Sequence, residues 1–234
     1  MIGTFNTLIN ELQSSYKKLK DFGQNASHEL KTPLTIMRGE IEIGLRKERS
    51  IVEYQDILHS VFTELNLLQE TIEKILFLSS HSDAQLKKTF SDIYFDEVIA
   101  EVISEKQLFA KQYNIQLQIK TIEPTTVVGN FILLKILCAN LIENAIKYSY
   151  AEGIIELSLI DRQFIVEDFG VGIDVEDQEA IFERFYRVDK VRNHAKGSGL
   201  GLSIVKSILD LHKFPIEVIS TKGKGTKMIV TFPL

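Results

Sequence analysis

Residues 27–34 read Ser27-His28-Glu29-Leu30-Lys31-Thr32-Pro33-Leu34, and the pattern they sit in decides the fold of the first third of the chain. Apolar or small residues recur on both sides of them, at Phe5, Ile9, Leu12, Tyr16, Leu19, Gly23, Ala26, Leu30, Pro33 and Met37. The steps alternate between four and three, which is the a/d seam of a helical bundle or coiled coil. With Leu30 at a and Ala26 at d, His28 falls at f, the position farthest from the seam. Thr32 lies four residues on and shares its face, because a helix turns about 100° per residue. The pattern therefore presents His28 to solvent. A surface histidine alone is merely solvated; the rest of the chain gives this one a partner.

A second seam follows at Tyr54, Leu58, Val61, Leu65, Leu68, Ile72 and Ile75, after a short break near Lys47 to Ser50. Two such helices form an antiparallel hairpin that cannot bury both stripes by itself. A second copy completing a four-helix bundle solves this. Pro33 removes one backbone hydrogen bond inside the first helix, close to His28, and invites a kink there.

Beyond the small polar run Ser79-Ser80-His81-Ser82-Asp83, which reads as a hinge, the grammar becomes α/β. The spacing predicts helices over 96–111, 131–148 and 202–211. Strands are predicted over 115–119, 154–160, 163–166, 216–220 and 228–231. The expected fold is a helical hairpin forming a dimeric four-helix bundle, followed by an α/β sandwich with a mixed sheet and helices on one face.

Composition narrows the function. The 234 residues carry a net charge of −5 without a dense Lys/Arg run, so nucleic acid is not the expected partner. One cysteine, Cys138, precludes internal disulfides, fits a reducing compartment and sits in an apolar run as a core residue would. The five histidines are scattered without zinc-ligand spacing. No apolar run is long enough to span a bilayer and no signal peptide is visible, so the segment itself is expected to be soluble and cytoplasmic.

Four signals in the second half converge on a nucleotide. Asn140, Asn144 and Lys147 line one face of an otherwise apolar helix. A carboxamide unpaired in a core costs about 1–3 kcal/mol, so this face suits either a ligand or water. Asn oxygen is a hard neutral ligand fit for Mg²⁺, and Lys147 can neutralise phosphate. Asp168-Phe169-Gly170-Val171-Gly172 ends a strand; a buried carboxylate there accepts from an exocyclic amine and selects adenine over guanine. Gly197-Ser198-Gly199-Leu200-Gly201 opens a helix whose N–H groups can cradle phosphate. It lacks the preceding strand of a dinucleotide fingerprint, and the charged run from Asp189 to Lys196 before it reads as a lid. Gly223-Lys224-Gly225-Thr226 is a second glycine turn.

Together these stretches resemble the sensor histidine kinases of two-component signalling, over nearly the whole chain. Ser27 to Leu34 is similar to the phosphoacceptor box, Asn140 to Ser149 to the asparagine box, and Asp168 to Gly172 to the first glycine box. Phe182-Glu183-Arg184-Phe185-Tyr186-Arg187 resembles the phenylalanine box, and Gly197 to Gly201 the second glycine box. All five occur in family order. The resemblance implies a membrane-proximal signalling helix over 1–20, a dimerisation and phosphotransfer domain over 21–79, a hinge linker over 80–90 and a gyrase-like ATP-binding domain over 91–234. It further implies that Asn144, helped by Asn140, holds Mg²⁺, that Lys147 meets phosphate and that Tyr148 flanks the adenine. Asp168 would bind the adenine amine, with Gly170 and Gly172 shaping its turn. Arg187 and Lys196 would reach the phosphates, Gly197, Gly199 and Gly201 would cradle them, and Thr226 would close the floor.

Gly129-Asn130 stands where the family more often has Gly-Asp, at the cap of the asparagine-box helix. On this reading His28 attacks the γ-phosphorus of ATP and Glu29 takes the proton from the other ring nitrogen. Thr32 orients a water for dephosphorylating the partner, a response-regulator receiver domain. The natural protein is expected to continue upstream into a membrane-anchored sensor, this chain being its cytoplasmic part at a bacterial inner membrane. Two alternatives are an ATP-binding scaffold without catalysis and a water-activating ATPase. The second needs a glutamate where this chain has Asn140.

Overall fold

The computed structural model describes residues 2–80, 86–188 and 198–233. The chain divides into two compact units, Met1–Ser79 and Ser80–Leu234.

The first unit is two helices, α1 (Ile2–Leu45) and α2 (Ile51–Ser80). α1 runs unbroken through Pro33. Its shielded face comprises Phe22, Ala26, Glu29, Leu30, Pro33, Met37, Glu40 and Gly44, so the seam read from Ala26 onward is the packed one, while Gly23 is exposed. On α2 the seam facing α1 is Ile57, Val61, Glu64, Leu68, Thr71, Ile75 and Leu78. Of the expected stripe, Val61, Leu68 and Ile75 lie on this seam, while Tyr54, Leu58, Leu65 and Ile72 are 40–66% exposed in the single chain. The physical reason is that a bundle helix has two flanks, one toward its hairpin partner and one beyond. Tyr54, Leu58, Leu65 and Ile72 lie on the second flank, and sequence periodicity alone does not separate the two.

The break between the helices is locally specified. Ser50 and Glu53 form a reciprocal capping box: the Ser50 N–H donates to Glu53 Oε2 at 2.9 Å, and the Glu53 N–H to Ser50 Oγ at 3.3 Å. These bonds from Ser50 hold the Glu53 carboxyl below its ordinary range. Arg49 donates to the Ile43 carbonyl at 3.2–3.3 Å, satisfying an orphan acceptor at the end of α1.

In the second unit, β1 (Ser91–Tyr94) pairs antiparallel with β3 (Thr126–Gly129). The remaining strands form a five-stranded mixed sheet: β2 (Gln116–Ile122), β4 (Ile154–Ile160), β5 (Gln163–Asp168), β6 (Ile216–Thr221) and β7 (Gly225–Thr231). Their order is β2-β4-β5-β7-β6, with only β2–β4 parallel. One face alternates into the core through Ile155, Leu157, Leu159, Phe164, Val166, Met228 and Val230. It is covered by α3 (Phe95–Gln112), α4 (Phe131–Tyr148) and α5 (Gly201–His212), so the expected architecture is observed. The small β1–β3 sheet was not expected, because four-residue strands carry too little alternation to register.

α4 begins on a working cap: Asn130 Oδ1 accepts from the Leu133 N–H at 3.0 Å, so asparagine caps here as aspartate would. The same amide donates through Nδ2 to Thr89 Oγ1 at 2.8 Å, a bond aspartate cannot make. The Asn130 N–H donates to His212 Nε2 at 3.2 Å, and His212 Nδ1 donates to the Ile208 carbonyl at 2.8 Å. Burial holds the His212 imidazole below its ordinary pKa, which suits its role as an acceptor. His212 thereby fixes the end of α5 against the start of α4.

Candidate active site

His28 is exposed on α1, as its f position requires. The hydroxyls around it bond back into their own helix. Ser27 Oγ donates to the Gly23 carbonyl at 2.8 Å, Thr32 Oγ1 to the His28 carbonyl at 3.1 Å, and Thr35 Oγ1 to the Lys31 carbonyl at 2.8 Å. Thr32 has thus committed its proton to His28's own backbone and keeps lone pairs to accept from a water. Glu29 is half-buried, turned about 100° from His28 around the helix. Pro33, buried, has no N–H to give the Glu29 carbonyl.

The second unit gathers the other residues around the C-terminal half of α4. The helix is apolar wherever it meets the sheet, with Leu134, Leu137, Cys138, Leu141, Ile142 and Ile146 at most 1% exposed. Burial raises the Cys138 thiol far above its ordinary range, which leaves it an inert core group. Asn140 and Asn144 break the apolar pattern. Asn140 Nδ2 donates to the Ile136 carbonyl at 2.8 Å, and its Oδ1 looks toward the start of α5. A Cβ on Gly201 would lie 2.9 Å from that oxygen, so the start of α5 comes close to the Asn140 carboxamide. Asn144 Nδ2 is buried and has no hydrogen-bond partner among the described residues. An orphaned amide of this kind costs about 1–3 kcal/mol. A half-turn of the carboxamide puts its oxygen in the same place. The residues therefore fit a hard cation, with Asn144 as ligand and Asn140 beside it.

Asp168 ends β5, 8% exposed. Burial pushes its carboxyl up to about 6, against the pull of hydrogen bonds from the Gly170 and Thr226 backbones. Oδ1 accepts from the Gly170 N–H at 2.9 Å, and a carboxylate has lone pairs beyond those its backbone donors use. The turn is pressed onto the end of α4: a Cβ on Gly170 would lie 2.0 Å from the Tyr148 carbonyl. The Val171 N–H donates to that same carbonyl at 3.0 Å. Gly172 is at φ +63° against Thr221 of the β6–β7 hairpin. Thr226, buried, shares a 2.8 Å hydroxyl contact with Ser220. Ser220 Oγ also accepts from the Ile173 N–H at 2.8 Å and donates to the Gly225 carbonyl at 2.8 Å. Sequence reading missed Ser220, which locks the glycine turn to the hairpin; a serine within a strand gives no local signal.

Tyr148 is half-buried, and burial raises its phenol while the nearby Arg187 guanidinium pulls it back down. Those two residues are therefore neighbours. The Phe185 N–H donates to the Gly199 carbonyl at 3.0 Å, joining the phenylalanine stretch to the second glycine turn. The Tyr186 hydroxyl donates to Asp177 Oδ1 at 2.6 Å. Lys147 does not point into open solvent. Its ammonium is 3.3 Å from Glu143 Oε2 and 5.6 Å from the Phe109 ring centre. Lys196 and Gly197, with the hinge residues His81, Ser82 and Asp83, lie outside the described residues. The site as described joins Asn140, Asn144, Tyr148, Asp168, Gly170, Gly172, Arg187, Gly199, Gly201 and Thr226 through contiguous elements.

Comparison with known proteins agrees. Residues 18–83 match the His Kinase A phospho-acceptor domain. Residues 129–234 match the histidine kinase-, DNA gyrase B-, and HSP90-like ATPase. The sensor-like histidine kinase SenX3 of Mycobacterium tuberculosis is 34% identical over 94% of this chain and 56% of its own length. The signal transduction histidine-protein kinase ArlS of Staphylococcus aureus is 33% identical over 99% of this chain and 52% of its own length. The chain thus spans about half the length of the curated relatives it matches. The crystal structure of histidine kinase ThkA in complex with response regulator protein TrrA shares the fold, with a TM-score of 0.72 and 23% identity over 94% of this chain and 63% of that one. Among the described residues no helix is long and apolar enough to cross a membrane. With a phospho-acceptor helix pair followed by a gyrase-like ATPase unit, both matched in family order, this chain belongs to the sensor histidine kinases.

Proposed function

We propose that this chain phosphorylates its own His28 from Mg·ATP and passes the phosphoryl group to an aspartate of a response-regulator receiver domain. The observation that carries the reading is the buried Asn144 amide nitrogen, unpartnered among the described residues, in the ATPase unit of a chain whose other unit presents an exposed histidine. No described residue hydrogen-bonds that amide nitrogen, and turned over the carboxamide would offer its oxygen to a phosphate-bound cation.

The chemistry asks for a neutral imidazole, whose ring nitrogen adds to the γ-phosphorus as the bond to the β–γ bridging oxygen breaks and ADP leaves. The proton on the other ring nitrogen passes to a base, for which Glu29 is the nearest carboxylate in sequence. Catalysis is then positioning and electrostatics. In this reading Asp168 would orient the base moiety and Tyr148 would flank it, Arg187, Lys147 and Lys196 would serve the phosphates, and the second glycine box with Gly225-Thr226 would shape the floor. Asn144, with Asn140 beside it, would hold Mg²⁺, which when bound would supply charge neutralisation for the leaving phosphates. The phosphoramidate N–P bond then breaks as an aspartate oxygen of the receiver domain takes the phosphoryl group. Thr32 keeps acceptor capacity for the water that later hydrolyses the aspartyl phosphate.

A homodimer through residues 21–79 is part of this reading. It is supported by the outer flank of α2, where Tyr54, Leu58, Leu65 and Ile72 are left exposed by the hairpin. Residues 80–90 serve as the linker, 91–234 as the catalytic domain and 1–20 as the helix that delivers the signal. The cytoplasmic face of a bacterial membrane is the setting this implies, the sensing part lying in length that the relatives have and this chain does not span.

Incubation with γ-labelled ATP tests the proposal. The expected product is acid-labile, base-stable phosphate on the protein, lost in His28→Ala while nucleotide binding persists. Free phosphate without labelled protein would establish a water-activating ATPase, and neither product would establish a binding scaffold.

A further inference from the structure

Lys147 sits where two faces of α4 meet. With about 100° per residue, Asn144 lies about 40° to one side of Asn140 and Glu143 about 60° to the other, with Lys147 between them. The Asn140 side meets the start of α5, where Gly201 closes on its carboxamide. The Glu143 side meets α3, which supplies Lys106 and Phe109. In this structure the Lys147 ammonium is on the α3 side, against Glu143 and over the Phe109 ring. Glu143 is itself shared: Lys106 Nζ is 2.5 Å from Oε1, while Lys147 Nζ is 3.3 Å from Oε2. All three side chains are less than a quarter exposed, so these charges act on one another with limited screening.

We propose that Glu143 is a positioning residue for the nucleotide phosphates: it holds the Lys147 ammonium on the α3 side of α4 and yields it to an incoming phosphate, and Lys106 sets how readily it yields. The proposal rests on the assignment of Lys147 to a phosphate. A single carboxylate cannot bind two ammonium groups as strongly as one. The shorter contact belongs to Lys106, which leaves the Lys147 contact long and exchangeable. A phosphate brings more negative charge than the shared carboxylate, so Lys147 transfers by rotation of its own side chain without movement of α4. The Phe109 face supports the ammonium in its resting place, as aromatic faces do for cations.

The signature is opposite signs at two neighbouring residues. Glu143→Gln, isosteric, releases Lys147 and is expected to tighten ADP binding by about two- to fivefold, the range for a modest ion pair. Lys106→Met removes the shorter of Glu143's two lysine contacts, strengthens the one to Lys147, and is expected to weaken ADP binding by about the same factor. Adenosine, which has no phosphate, is expected to bind all variants equally. In a Lys147→Ala background both substitutions are expected to be silent. Titration calorimetry of the whole chain with ADP and with adenosine, Mg²⁺ present, reads each affinity. If Lys147→Ala leaves the preference for ADP over adenosine unchanged, the phosphate assignment of Lys147 fails. If Lys147→Ala lowers that preference but Glu143→Gln and Lys106→Met shift it in the same direction, or not at all, the positioning role of Glu143 fails.

Discussion

Replacing Asp168 by asparagine is expected to make the ATPase unit more stable and less able to bind nucleotide. The carboxyl moves from an ordinary 3.8 to about 6 because the fold buries it at the end of β5. At about 1.4 kcal/mol per tenfold change in acidity, charging it in the fold costs about 3 kcal/mol more than charging it in the unfolded chain. A raised carboxylate pKa has a definite sign. Between about pH 4 and 6 the folded state holds a proton that the unfolded chain has lost, so stability rises as pH falls through that window. Above it the full penalty is present.

Asp168→Asn keeps an oxygen for the Gly170 N–H and removes the charge. It is therefore expected to stabilise by up to about 3 kcal/mol at pH 7.5, with the advantage shrinking below pH 6 and vanishing near pH 4. Amide hydrogen exchange in β5 and β7, variant against parent at each pH, reads this unit by itself. The same variant presents an N–H₂ where an adenine amine needs an acceptor, and ADP affinity is expected to fall about tenfold or more. Equal or lower protection of β5 at pH 7.5 would refute the reasoning, since it would mean the buried charge is fully repaid inside the free protein.

Asn144→Ala removes an amide whose nitrogen has no partner among the described residues, so exchange protection of α4 is expected to stay unchanged or rise, while the Mg²⁺-dependent part of ADP binding disappears; an unaltered response to Mg²⁺ in calorimetry would overturn the ligand role. Thr32→Ala removes the acceptor one turn from His28, and is expected to slow dephosphorylation of the partner regulator more than autophosphorylation. Thr32→Ser is expected to retain both, and equal losses in the alanine variant would make Thr32 a structural residue only.

The fold was legible where one period dominates. The Phe131–Tyr148 helix, with an apolar residue at nearly every inward position, begins and ends where its sequence pattern does. The break at 46–50 was legible as an interruption, and its cause, the Ser50–Glu53 box with Arg49 on the Ile43 carbonyl, is written in local residue types. What sequence could not assign was the partner of each flank on α2. A heptad read singly merges the stripe facing α1 with the stripe facing outward, and Leu65 looks as much a core residue as Leu68. Only the hairpin geometry separates them: Glu64 and Thr71 are buried while Leu65 and Ile72 are exposed.

The site divides along the same line. Asn144 and Asp168 stood out because each breaks a local rule, a carboxamide in an apolar helix and an acid ending a core strand: among the described residues the amide nitrogen has no partner, and burial raises the carboxyl. Residues that obey local rules were silent. Ser220 looks like any strand serine, and Glu143 like any helical acid four residues before a lysine, the commonest stabilising pair on a helix surface. Glu143 acquires meaning only from Lys106, 37 residues away on another helix, because competition for one carboxylate is a tertiary property. Violations of local preference therefore mark where ligand binding is proposed. The residues proposed to govern it follow local preference and become visible only through packing.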